Sequence, residues 1–167
     1  MVDPTAIART LDLPPELVVV AIAATPVFEL RGAIPVAIGV YGMSPATAFV
    51  LGVFGNLLPV LPLLLLLGPV SNWLSYHSRV FERFFSWLFT RTRRRGEDRY
   101  RRWGALALIP FVAIPLPVTG AWTGCAAAFV FGVPTRYAFP AIAVGVLIAG
   151  TVVTSAVAGA AWLVAPV

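Results

Sequence analysis

Glu29-Leu30-Arg31-Gly32-Ala33-Ile34-Pro35 sets a carboxylate and a guanidinium two residues apart, inside a run that is otherwise apolar from Leu17 to Gly68. Holding an ionised group in hydrocarbon costs about 3 kcal/mol or more, so charged residues in such a run lean towards function. Gly32 and Pro35 disfavour a continuous helix, and Pro26 brackets the pair on its other side. The expectation is a broken membrane segment with its charges at the break, the usual construction of a substrate or ion site.

Working outward, the composition agrees. The chain has 167 residues, 59% hydrophobic and 11% charged, where a globular domain carries about a quarter charged. One membrane domain is expected, with Arg79 to Arg102 too short a polar block to form a core of its own. Nine arginines fall in that block and there is no lysine. Basic clusters attract phosphate, but between apolar segments the positive-inside rule accounts for this one, so a cytoplasmic loop is expected and nucleic acid is not. Cys125 is single, which excludes an intramolecular disulfide. His77 reads as a solvated interfacial residue. Asp3, Asp12 and Glu16, with Pro4, Pro14 and Pro15, do not resemble a signal peptide.

Along the chain, Leu17 to Ala24 is too short to cross a bilayer, which takes about twenty helical residues. With Val36 to Tyr41 beyond the break it describes a re-entrant hairpin or a kinked span. Ser44-Pro45 is a helix start, Ser at the N-cap and Pro at the first position. Ala46 to Leu67 is then long enough to cross, kinked by Pro59 and Pro62 and ended by Gly68-Pro69. Tyr76 to Phe89 has helical periodicity and predicts an amphipathic helix in the interface. Ala105 to Phe131 is broken again, by Pro110, Pro115 and Pro117 and by the Thr119-Gly120-Ala121-Trp122-Thr123-Gly124 run. Tyr137 to Val167 forms the last, uncharged stretch.

The halves echo one another. Tyr41-Gly42-Met43-Ser44-Pro45 precedes Ala48-Phe49 and Gly55; Phe131-Gly132-Val133-Pro134-Thr135 precedes Ala138-Phe139 and Gly145. Each half reads as broken hairpin, aromatic-glycine turn, long span. Residues 1–68, 69–103 and 104–167 are thus expected to be first repeat, amphipathic helix with basic loop, and second repeat. A hairpin and one crossing per half make the repeat inverted, as in many secondary transporters. Four full spans satisfy the same charge rule. The fold class expected is all-α and integral to the membrane.

Phe28 to Pro35, Gly55-Asn56 and the Ile114 to Gly124 block resemble the small multidrug-export protein family over about Leu17 to Leu163. That family is more distantly similar to the DedA/VTT membrane proteins. The resemblance implies paired re-entrant hairpins, embedded acidic and arginine residues, and transport linked to lipid phosphates or the proton gradient. With Glu29 the only acidic residue in an apolar segment, a relay of two carboxylates is not expected.

The candidate binding or coupling residues are Glu29, Arg31, Arg136, Asn56, Thr119 and Thr123, and the hairpin breakers are Pro26, Gly32, Pro35, Pro115, Pro117, Gly120 and Gly124. Burial and a nearby guanidinium act on a carboxyl in opposite senses, a condition suited to proton exchange at Glu29. The bland alternative is an ion pair with Arg31 or Arg136 that pins the hairpin. Arg31 can grip a phosphate with two parallel hydrogen bonds. Arg136 either faces the same cavity or snorkels to the headgroups. Asn56, Thr119 and Thr123 are expected to be satisfied by backbone more often than by ligand. No Ser/His/Asp set, metal-ligand spacing or phosphate loop is present, so neither an enzyme nor a metal or cofactor is expected.

Two arginines against one glutamate favour an anionic amphiphile of the polyprenyl-phosphate type, with protons or another coupling ion. A lipophilic cation centred on Glu29 is the alternative, with Phe28, Trp122 and Phe129 as walls. A non-transporting scaffold is the third reading. Membrane lipids are the expected partners, and a homodimer is expected because the wall is thin.

Overall fold

The computed structural model describes residues 13–77, 98–114 and 119–164, and every regular element among them is helical. They are α1 (Pro15–Ala24), α2 (Glu29–Gly39), α3 (Pro45–Leu57), α4 (Val60–His77), α5 (Asp98–Ala113), α6 (Ala121–Val130) and α7 (Thr135–Val164). Arg79 to Arg95 of the basic block, most of the expected amphipathic helix, and Pro115 and Pro117 lie outside the described residues; the rest of that block, from Asp98, is the start of α5 rather than loop.

α1 starts on Pro15, whose missing N–H costs nothing at the first helical position. It stops at Thr25, held extended at φ −77° and ψ 147° as a residue before proline prefers. Thr25 then closes the break: its Oγ1 donates to the Ile22 carbonyl at 2.7 Å and accepts the Phe28 N–H at 3.3 Å. Pro26 lies in this break as expected. Gly32 and Pro35 do not break the chain, since α2 runs through both. A proline costs the helix one hydrogen bond and a clash, which α2 accommodates within its packing against α1 and α3. α4 likewise continues through Pro69 to His77, so Gly68-Pro69 is not a helix end.

The expected start at Ser44-Pro45 is present. Ser44 Oγ accepts the Thr47 N–H at 3.2 Å and Pro45 occupies the first turn. α3 and α4 are interrupted only at Leu58–Pro59, and Pro45–Val70 is an apolar stretch of 26 residues; Thr135–Ala161 is another of 27. At 1.5 Å per residue, about twenty suffice for a bilayer core of roughly 30 Å. α1, α6 and the apolar Gly104–Ala113 of α5 are each about half that length.

Contacts divide the chain into two compact units. One gathers α1, α2, α3 and α7 from Val146 onward; the other gathers α4, α5, α6 and α7 up to Gly145. In the first, Val19, Ala23, Leu30, Ala33, Ile34, Ala37 and Ala48 are buried. Hydrocarbon outside is as apolar as leucine inside, so close packing between small residues, rather than escape from water, holds such helices together. Gly52 lies against Ile34, and Gly55 against the Val20 backbone and the Ala23 methyl. In the second, Gly124 and Gly145 both lie against Val112, and Cys125 Sγ approaches the Val60 carbonyl at 3.8 Å.

The turns into the long stretches share one device. Gly42 (φ 63°) and Gly132 (φ 64°) adopt the left-handed conformation, and Met43 N–H and Val133 N–H return to the carbonyls of Ala37 and Ala128. A side chain in this conformation costs about 1–2 kcal/mol. Gly42→Ala and Gly132→Ala should each lower the thermal midpoint in detergent by a few degrees. An unchanged midpoint in either would show that its turn tolerates an ordinary residue.

Candidate functional site

Among the described residues, the buried polar side chains Glu29 and Asn56 both belong to the first unit. Glu29 opens α2 and is only 7% exposed. Its φ of 48° makes it the one non-glycine residue with positive φ among the described residues. Such backbone costs about 1–3 kcal/mol and persists only where its surroundings impose it. Here they are the Glu29 N–H bond to the Thr25 carbonyl (3.2 Å) and the helix beyond, where Glu29, Ala33 and Ala37 form one buried row. Arg31 is half-buried and interacts electrostatically with Glu29. Arg31, two residues on, thus partly offsets the charge of the carboxyl.

Asn56 lies on the buried face of α3 with Ala48, Gly52 and Gly55. It is 1% exposed, and its Oδ1 has no hydrogen-bond partner among the described residues. The expectation that backbone would satisfy it is therefore not met. For the two threonines that expectation holds: Thr119 donates to the Ile114 carbonyl at 2.6 Å and Thr123 to the Gly120 carbonyl at 3.2 Å. Both belong to the second unit, as does Arg136.

Arg136 is exposed, its guanidinium 4.8 Å from the centroid of the Tyr137 ring. An arginine stacked on its neighbour near a span end is the geometry of an interfacial anchor. Of the expected breakers in this unit, Gly120 precedes α6 in extended conformation, whereas Gly124 is inside α6 and acts as a packing hole. Sequence reasoning missed Thr25, which closes the first break. The Thr25-Pro26 dipeptide was the available signal, because a hydroxyl ahead of a proline can cap the helix it ends.

Residues 29–152 match the family described as putative small multi-drug export protein. The chain belongs to this family. No curated protein and no solved structure matches it. With two stretches long and apolar enough to cross a bilayer, this member of the export family is a membrane protein. The matched region begins at Glu29 itself and takes in α2, Asn56, both glycine turns and Arg136.

Proposed function

We propose that the chain is a small multi-pass transporter of the plasma membrane, exporting an amphiphile by way of a site on its first broken hairpin. The observation that carries this is Glu29, a buried carboxyl in strained backbone inside an apolar three-helix packing. Strain and an intramembrane charge at one residue are both costs to the fold, and they coincide where function lies. The reading is transport and not catalysis.

The half-length α1 and α6 support re-entrant hairpins. A repeated design is supported by the turns. With Gly42 laid on Gly132, Ile34 falls on Gly124 and Gly52 on Ile142; Ile34 fills Gly52, and Ile142 lies against Gly124. Knob and hole have exchanged helices while the contact is kept. In the same alignment Thr119 stands at the place of Glu29 and Val146 at that of Asn56, so each chain carries one charged site. An inverted repeat, with the basic Arg79–Arg102 segment cytoplasmic and two chains per assembly, completes the proposal, as does the distant similarity to DedA/VTT proteins.

For cargo, the burial of Glu29 and Asn56 and the exposure of Arg136 favour a lipophilic cation over the anionic lipid phosphate that two arginines favoured in the sequence. In proteoliposomes loaded with a cationic lipophilic dye, Glu29→Gln should slow efflux about tenfold or more, the worth of one charge-assisted contact; Arg31→Gln should slow it less. The lipid-phosphate reading keeps one support, the half-buried Arg31. It would replace the cation if polyprenyl phosphate bound wild type and Glu29→Gln equally but failed to bind Arg31→Gln.

A further inference from the structure

The buried amide of Asn56 has a place in the hairpin that can be read from register. α2 and α3 are joined by a five-residue turn, 40–44, and helices so joined run antiparallel. A Cβ on Gly52 would lie 2.9 Å from Ile34 Cγ1 and 3.8 Å from Leu30 Cβ. One turn further along α3 is Asn56, and one turn earlier along α2 is Glu29, at the Thr25–Phe28 break. Gly55, beside Asn56, lies against Val20 and Ala23 at the end of α1 that leads into the same break. Asn56 therefore stands at the level of the hairpin tip, where the Glu29 carboxyl enters the packed interior.

Two oxygen acceptors are thus placed at one level in an apolar bundle: a charged one in Glu29 and a neutral one in Asn56. Hydrocarbon offers Oδ1 no donor in place of water. A guest that is cationic and also carries N–H donors suits both: it supplies the donor that Oδ1 lacks and balances the charge of Glu29. Glu29 attracts either cation and accepts one N–H from a protonated amine, whereas the Asn56 amide oxygen recognises only an N–H; a primary ammonium, with three donors, serves both acceptors at once. We infer that Asn56 makes the site selective for protonated amines over quaternary ammonium cations. This rests on the cationic-cargo reading above and sharpens it to a chemical class.

The tip itself supplies the way in. Oδ1 is sealed in this conformation, while Val27 at the tip is 81% exposed and Phe28 is 42% exposed. Thr25 holds the turn through two hydrogen bonds, to the Ile22 carbonyl and from the Phe28 N–H. Opening that turn bares both acceptors together, and closing it occludes the guest. Arg31 offsets Glu29 in the empty chain, and the guest's own charge takes over that part.

The test uses the full chain in nanodiscs with two probes of equal tail length, octylamine, protonated at neutral pH, and octyltrimethylammonium. Dissociation constants are measured for wild type, Glu29→Gln and Asn56→Leu. Wild type should bind the amine at least about tenfold tighter, since the trimethylammonium group can donate a hydrogen bond to neither acceptor. Asn56→Leu should lower that ratio about tenfold by weakening amine binding, since one hydrogen bond to a charged donor is lost; an unchanged ratio overturns the inference. Should the leucine variant not fold, Asn56→Asp takes its place; it keeps an acceptor and should keep the preference. Equal binding of both probes by wild type, abolished by Glu29→Gln, overturns the selectivity and leaves the cationic cargo standing. Binding of neither probe, or binding indifferent to Glu29→Gln, overturns the cargo reading and the inference with it.

Discussion

Gly55→Val should yield no folded protein in detergent, and Gly145→Val should yield little or none. A Cβ on Gly55 would lie 2.6 Å from the Val20 carbonyl oxygen, 2.8 Å from the Ala23 methyl and 3.0 Å from Val20 Cα. Two of those three atoms are backbone, so no rotamer change relieves the contact, and α1 and α3 would have to separate. On Gly145 the added carbon would lie 2.7 Å from Val112 Cβ and 3.0 Å from the Ile109 carbonyl. Overpacking a core with one methylene already costs about 1–3 kcal/mol, and valine adds two further methyls to the same collision. The control is Gly39→Ala, at a position with nothing within 4 Å; a helical alanine there should be neutral or stabilising by up to about 1 kcal/mol. Normal yield and thermal midpoint for Gly55→Val would mean that α1 is not seated on α3 as described.

Glu29→Gly should raise the thermal midpoint and slow transport together. Glycine adopts positive φ freely, so the substitution removes a strain of about 1–2 kcal/mol along with a buried carboxyl. Glu29→Gln separates the two terms, because it keeps the strained backbone and loses only the charge. The expected order of stability is glycine above glutamine, with both slowed about tenfold or more in dye efflux. Gain of stability with loss of activity is the mark of a residue kept for work at a cost to the fold. If Glu29→Gly instead melts below wild type, and Arg31→Gln falls with it, the charges hold the fold. The scaffold reading then replaces transport.

Much of this was legible beforehand, for local reasons. Ser44-Pro45 is a helix start by its own chemistry, and Tyr41-Gly42 with Phe131-Gly132 marks two turns that share one left-handed φ. Charge inside an apolar run pointed to Glu29 without any structure. Where the reading failed, tertiary context decided. Gly32, Pro35 and Pro69 are helix breakers in water, but each sits inside a helix here, because apolar surroundings penalise unpaired backbone and neighbouring helices absorb the irregularity. Which knob enters which hole depends on partners far along the chain, so Gly52 and Gly124 were unreadable as packing holes. Asn56 looked like a residue that backbone would satisfy; only its burial shows an oxygen with no donor among the described residues.

The seclusion of Cys125 gives the chain an experimental convenience. It is the only cysteine in the sequence, and it is fully buried, its sulfur turned to the Val60 carbonyl. A membrane-impermeant maleimide should therefore leave the native chain unlabelled from either side of the membrane, with no need for a cysteine-free background. A thiol introduced at the exposed Val27 then reports by itself which face of the bilayer the first hairpin opens to, and whether that answer changes when cargo is added.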